Sequence, residues 1–263
     1  MTSLTTCADA EAAAKRAADE IVRRLHSARE QRGAAHLALS GGSTPARTYQ
    51  LLASALDSWQ GIELWFADER CVGPEDDESN YRLAKETLLA TATAAGLDEQ
   101  RVHRMRGELG PDEGARGYEL ELREHAPSDH DAADATGEGE GTAGTGEGAE
   151  GALAVLDVVV LGIGPDGHVA SLFPGAPTLD AGPERLCLGV HDSPKPPPER
   201  ITLTLPVLRA ARRCVLLATG ASKADAVNAM LGEPSRHVPA SLLRRERLSV
   251  IVDDAAAPAP LPR

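Results

Sequence analysis

Asp166 and His168 are the residues of this chain best suited to chemistry. They sit two positions apart in LDVVVLGIGPDGHVASLFPG, residues 156–175. An imidazole is neutral and available as a base near pH 7. The stretch opens on Leu156, Val158, Val159, Val160 and Leu161, an apolar, β-branched run that predicts a strand buried on both faces. Gly162, Gly164 and Gly167 then break the strand and let backbone approach a ligand closely. The pair is thereby placed just past a strand's carboxyl end, where open α/β sheets bind their ligands. A structural imidazole satisfied by its neighbours is the alternative reading of His168.

Other residues point to an anion. Ser40-Gly41-Gly42-Ser43-Thr44-Pro45 joins a short apolar strand, Ala35 to Ser40, to a helix read over Ala46 to Leu56. Pro45 falls in the first turn of that helix, where its missing N–H costs nothing. Strand, glycine-rich turn and helix N-terminus leave backbone N–H groups free, and the helix dipole favours negative charge. The hydroxyls of Ser43 and Thr44 are further donors. The pattern is neither G-x-G-x-x-G nor G-x-x-x-x-G-K-S/T, so it is not a nucleotide fingerprint; a plain turn with an N-cap is the alternative. Lys223 stands at the start of a helix over Ala224 to Leu231. A cation there opposes the dipole, which a bound anion would explain and a solvated lysine would not need. Asp68, Glu69 and Arg70 end an apolar strand, Ile62 to Ala67, and read either as site residues or as a solvated loop. SPKPPPER, Ser193 to Arg200, is a proline-stiffened loop carrying Lys195 and Arg200.

The elements that must position these residues alternate along the chain. Asp9 to Gln31 is alanine-rich with Ala17, Ile21, Val22 and Leu25 at helical spacing, and Gly33 can stop the helix. Ser79 is placed to cap a helix over Asn80 to Ala90. Arg101 to Arg106 reads as a short strand, and Asp112 to His125 as an amphipathic helix. Strands are expected at Arg185 to Val190, Ile201 to Leu205, Arg213 to Ala218 and Leu248 to Val252, with a short helix over Pro239 to Leu243. Pro127 to Gly151 carries seven carboxylates among Gly, Ala, Ser and Thr, with no Lys or Arg. Nothing in it can bury enough apolar surface to offset ordering, so a disordered insertion in a single domain is expected.

The 263 residues suffice for one large α/β domain. Aromatics are only 3% of a chain that is 42% hydrophobic, so the core must be mostly Ala, Leu and Val. A net charge of −13 argues against non-specific nucleic-acid or anionic-membrane binding. The cysteines Cys7, Cys71, Cys187 and Cys214 are scattered, which suggests neither zinc nor a disulfide framework and fits a reducing compartment. No run approaches the roughly 20 apolar residues that span a bilayer, and Ala12 to Arg24 lacks a signal core. A cytoplasmic protein is expected.

Six motifs, in order, resemble the 6-phosphogluconolactonase family: SGGSTP (40–45), ADER (67–70), SNYRLAKETLL (79–89), LGIGPDGHVASLFPG (161–175), SPKPPPERITLTL (193–205) and TGASKADAV (219–227). The resemblance implies a Rossmann-like three-layer α/β/α fold with a mostly parallel central sheet, shared with glucosamine-6-phosphate deaminases. It implies hydrolysis of 6-phospho-D-glucono-1,5-lactone, with no metal and no organic cofactor. On it, His168 is assigned as general base, Asp166 as the group that orients the imidazole or the water, and Arg70 as substrate or oxyanion contact. Gly41, Gly42, Ser43 and Thr44 would cradle the phosphate, with Arg200 and Lys223 supplying charge and Lys195 as the weaker alternative to Arg200. The expected partner is a small-molecule sugar-phosphate lactone, with no nucleic acid and no membrane, on a monomer or weak homo-oligomer. The acidic tract departs from the family pattern but touches none of the motifs.

Two other readings compete. A deaminase loop typically continues GHIAFNEP, whereas Val169 to Pro174 here contains no acid, so that role loses a catalytic group. A sugar-phosphate sensor of a transcription regulator would need a helix-turn-helix segment, and only one helix fits before the first strand expected here.

Overall fold

A computed structural model describes residues 2–128 and 152–258. The expected disordered insertion, apart from Pro127 and Ser128, lies outside the described residues. Six strands form the central sheet: β1 (Ser3–Cys7), β2 (Ala35–Leu39), β3 (Ile62–Phe66), β5 (Val158–Gly162), β8 (Cys214–Ala218) and β9 (Leu248–Asp253), in the spatial order β1-β9-β8-β5-β2-β3. Every neighbouring pair is parallel. A second sheet, antiparallel and three-stranded, has the order β4 (Asp68–Arg70), β7 (Arg200–Leu203), β6 (Cys187–Val190).

The continuous apolar runs become inner strands because both faces are covered. Val158 to Leu161 and Val215 to Leu217 have essentially no exposure. Helix α1 (Ala10–Arg32) lays Ala13, Ala14, Ala17, Ala18, Ile21 and Leu25 onto the sheet. Asp9 caps it by accepting from Ala12 N at 2.8 Å, and Gly33 ends it at φ +78, a conformation that costs glycine little. Helix α2 (Ser43–Ala55) packs beside α1, and α5 (Pro111–His125) covers the second sheet and reaches β3. There the Tyr118 hydroxyl accepts from Phe66 N at 2.7 Å and lies 3.1 Å from Phe66 O. Among the described residues no helix is long and apolar enough to cross a membrane.

The structure departs from the sequence reading at several elements. Strand β1 was not expected: its mostly exposed residues, SLTTC, lack an apolar pattern, and it is held by its ladder to β9. Asp68 to Arg70 is neither solvated nor a loop; Asp68 and Glu69 are buried in β4. The helix capped by Ser79 runs as α3 (Asn80–Ala84), a π-helical turn (Lys85–Leu89) and α4 (Ala90–Ala94), past the expected end. Helix α2 begins at Ser43, three residues earlier than read, with Gly42 before its first turn at φ +110. Helices α6 (Leu205–Ala210) and α7 (Ala224–Leu231) follow β7 and β8.

Arg101 to Arg106 forms no strand; only Val102 bridges Leu64 before the chain turns away. Arg101 and His103 are instead drawn to Glu63, at 2.6 and 2.9 Å. His103 stacks on Trp65 with centroids 3.8 Å apart, and its Nδ1 stands 3.5 Å from Glu121. Burial alone would push this imidazole down, but the Glu121 and Glu63 carboxylates outweigh it and hold His103 above its ordinary value. The charged form therefore stabilises the fold. That contribution is complete below the unfolded value of about 6.5 and is lost as pH rises through the folded value. Urea midpoints measured upward from pH 6 should fall more steeply for the native chain than for His103→Gln; parallel curves would remove this role.

The strand order reverses between β2 and β5. From β2 the chain moves to β3 on one side; from β5 it moves to β8 on the other. The loops leaving these two neighbours diverge and open a crevice at their carboxyl ends, the position at which such sheets take ligands.

Candidate active site

The first wall of that crevice is the turn after β2. Ser40 is locked in place: its N–H donates to the Tyr49 hydroxyl at 2.8 Å and its Oγ to Val160 O at 2.8 Å. Gly41 follows, packed against Asn80 so closely that a Cβ would stand 1.9 Å from Asn80 Oδ1. Asn80 is itself held by donating to Asp68 O at 2.8 Å. The N-terminus of α2 carries no side-chain cap, so its first N–H groups face the crevice without a side-chain acceptor. Thr44 and Thr219 share a hydrogen bond of 2.8 Å, tying this turn to the one after β8.

The second wall is the loop after β5. Gly164 N donates to His168 O and Gly167 N to Gly164 O, both at 2.9 Å. Gly167 is at φ +83, and its carbonyl accepts from Ala240 N at 3.0 Å. This tight fold sets Asp166 and His168 side by side, with Oδ1 and Nδ1 2.5 Å apart. An unprotonated Nδ1 would face the carboxylate with no proton between them, so the assigned tautomer carries its proton on Nδ1. Nε2 is then the nitrogen left to accept a proton. A Cβ on Gly164 would lie 2.0 Å from His168 Nδ1 and 2.4 Å from Asp166 Oδ1. The Phe173 ring packs 4.7 Å from the imidazole, yet the His168 side chain keeps 17% exposure, enough for water to reach it.

Lys195 completes this cluster. Its Nζ is 3.2 Å from Asp166 Oδ1 and 3.2 Å from His168 Nδ1. A lysine has no acceptor, so it donates to the carboxylate. Burial pushes the imidazole below its ordinary value, Asp166 opposes the fall, and the Lys195 cation adds to it. Asp166 is raised by burial, but His168 and Lys195 together hold it below its ordinary value. The result is a neutral imidazole beside an ionised carboxylate at neutral pH.

Three more cations border the crevice. Lys223 Nζ donates to Ile163 O at 2.8 Å; burial, then the Lys195 cation, push its ammonium down. Arg70 and Arg200 sit directly opposite each other in the β4–β7 ladder. Arg200 donates from Nε and Nη2 to the carbonyls of Pro197 and Pro196 at 3.0 Å and of Lys195 at 3.2 Å, so it also shapes the loop carrying Lys195. Arg70 donates to the Glu78 carbonyl, while its Nε is buried with no partner.

One cavity of about 220 Å³ is therefore bordered by Gly41, Gly42, Ser43, Thr44, Arg70, His168, Arg200, Lys223 and Lys195. Asp166 does not line it but reaches it through His168. Three features were missed from sequence. Asp68 is buried, accepting from Ser171 Oγ at 2.7 Å, and holds Asn80 against Gly41. Ala170 lines the cavity at φ +47, a strained conformation for a residue with a Cβ. The Thr44–Thr219 contact joins residues 175 positions apart. Asp68, Asn80, Ala170 and Thr219 each lie in one of the motifs quoted above, but nothing in the sequence placed them in these contacts.

Comparison with known proteins shows the family. A family model described as glucosamine-6-phosphate isomerases/6-phosphogluconolactonase matches residues 8–252. The chain is 38% identical over 266 aligned residues to a 6-phosphogluconolactonase of Streptomyces coelicolor, covering 97% of this chain and 93% of that one. A human 6-phosphogluconolactonase is 34% identical, over 84% of this chain and 79% of its own. The solved structure of the Trypanosoma cruzi 6-phosphogluconolactonase superposes with a TM-score of 0.79 at 25% identity, covering 97% and 96% of the two chains. Matched along nearly its whole described length in sequence and in fold, the chain belongs to the glucosamine-6-phosphate isomerase/6-phosphogluconolactonase family.

Proposed function

We propose that this chain hydrolyses 6-phospho-D-glucono-1,5-lactone to 6-phospho-D-gluconate, a carboxylic ester hydrolysis and the second step of the oxidative pentose phosphate pathway. The observation that carries this reading is His168, its Nδ1 engaged by Asp166, on the same small cavity as the Gly41–Thr44 turn and Lys223. The names of the relatives support the substrate.

His168 Nε2 takes a proton from a water as the water oxygen attacks C1. Negative charge develops on the former carbonyl oxygen. When the tetrahedral intermediate collapses, the C1–O5 bond breaks and the imidazolium returns the proton to O5. The product holds a carboxyl at C1 and a hydroxyl at C5, accounting for every atom of the water. Asp166 keeps Nδ1–H turned toward itself and stabilises the imidazolium; such a base contributes about 10²–10⁴-fold. Arg70, on the cavity wall, binds the substrate or stabilises the oxyanion. The phosphate rests on Gly41, Gly42, Ser43 and Thr44, with Lys223 and Arg200 supplying charge.

The deciding assay uses freshly generated lactone, with spontaneous hydrolysis subtracted. A rate no higher than the spontaneous one defeats the proposal, and ammonia release from glucosamine 6-phosphate would favour a deaminase instead. Lys223→Ala should raise KM about tenfold or more with kcat little changed, since it removes one charge-assisted contact that is present in ground and transition states alike. An unchanged KM would take the phosphate away from Lys223.

A further inference from the structure

At the opposite edge of the central sheet, where the strands begin, lies a second cleft of about 480 Å³. Arg23, Arg24 and Arg32 face it from α1; Arg212 and Arg247 face it from the segments leading into β8 and β9. One carboxylate stands among these five guanidinium groups, that of Asp157. It is already saturated: Arg32 Nη2 lies 2.5 Å from Oδ1, Arg212 Nε 3.3 Å from the same oxygen, and Oδ2 accepts from His36 N at 2.9 Å. Arg24 pairs with Glu20 at 3.2 Å, outside the lining, but Glu20 also accepts from Ser249. Arg247 donates to the Ala210 carbonyl and Arg23 to the Asp19 carbonyl, and neither forms an ion pair among the described residues. Arg212 Nε is buried, and its 3.3 Å approach to Asp157 is an ion pair without hydrogen-bond geometry.

This concentration of like charge sits in a chain whose net charge is −13. Self-repulsion among the guanidinium groups costs stability unless an anion neutralises it. Burial, followed by the neighbouring Arg32 cation, pushes Arg212 below its ordinary value, consistent with that crowding. Planar guanidinium forks match phosphate oxygens two at a time. The cleft's volume falls within the range of small-molecule sites, and the five guanidinium groups, less the Asp157 and Glu20 carboxylates, leave three positive charges among the described residues, which call for a ligand carrying several negative ones.

We propose that this arginine cleft binds a small molecule bearing a di- or triphosphate group, at a site separate from the candidate active site. The seven carboxylates between Asp129 and Glu150 are the competing anion. They are spread among glycines and so concentrate less charge than a polyphosphate does, which favours the compact ligand.

The probe is inorganic tripolyphosphate, titrated calorimetrically into the full chain at low ionic strength. Saturable binding at the cleft is expected, weakening with added salt. The double variant Arg23→Gln/Arg247→Gln removes two charges that, among the described residues, hydrogen-bond to carbonyls; circular dichroism checks that it folds. It should bind at least about tenfold more weakly. Lys223→Ala, which weakens phosphate binding at the other cavity, should retain the saturable binding that belongs to the arginine cleft. The proposal is overturned if the native chain shows no saturable binding below millimolar concentration. It is equally overturned if binding survives the double variant but is lost in Lys223→Ala. Neutralising the seven carboxylates to amides should leave the affinity unchanged; a gain of about tenfold would make the chain's own acidic tract the occupant and refute the small ligand.

Discussion

His168→Ala lowers kcat for lactone hydrolysis by about 10²–10⁴-fold, with the fold intact. The expectation rests on a division of labour between the two ring nitrogens. Nδ1 is held 2.5 Å from Asp166 and Nε2 is left for the water. The substituted chain keeps its phosphate contacts, so KM should move far less than kcat. A pH profile provides an independent reading. Burial holds the imidazole below its ordinary value of 6.5, so the base is more than half neutral at that pH and the acid limb of kcat/KM should lie below it. Asp166→Asn removes the negative charge that opposes the fall and should shift the limb to still lower pH while reducing kcat. Near-normal hydrolysis by a folded His168→Ala chain would sink the base assignment, whatever the profile.

Gly164→Ala should be nearly as damaging, although it adds only a methyl group and removes no functional atom. Its Cβ would stand 2.0 Å from His168 Nδ1 and 2.4 Å from Asp166 Oδ1, far inside any real contact. The loop backbone is held by Gly164 N donating to His168 O and Gly164 O accepting from Gly167 N, so the side chains must give way before the main chain does. Displacing an imidazole by about 1 Å can cost about 10²-fold in rate. Thermal melting should fall only slightly, because the imidazole retains a route to solvent. Native-like kcat in Gly164→Ala would mean that the imidazole's position is not critical. Gly162→Ala, where an added Cβ meets nothing within 4 Å, is the matched control.

Much of the frame is legible in the amino-acid order because it depends on local rules. The apolar run at Val158 to Leu161 reads as a two-sided buried strand, and it occupies an inner position of a wholly parallel sheet. Asp9 and Gly33 bound α1 through capping, which needs only a few neighbouring residues. Strand β1 escaped because its hydroxyl-rich residues gain their structure from β9, some 246 positions away, through backbone bonds that leave no mark on side-chain pattern. The burial of Asp68 and Glu69 escaped for a related reason. Charged residues read as solvated unless their partners are known. Glu69 is satisfied by the N–H groups of Asn80 and Tyr81 and the Ser79 hydroxyl, and Asp68 by Ser171 Oγ.

By itself the amino-acid order determined which residue types were available for chemistry, where strands give way to glycine-rich turns, and to which family the motifs run. Only the tertiary structure decided that Lys195 stands against Asp166 and His168 while Arg200 binds the carbonyls of the Lys195 loop, that Arg70 and Arg200 oppose each other in a ladder, and that five arginines gather at the sheet's far edge. The reason is range. Propensity, capping and periodicity act over a few residues, whereas the position of a charge in a cavity depends on strand order and crossover, which bring together groups more than a hundred residues apart.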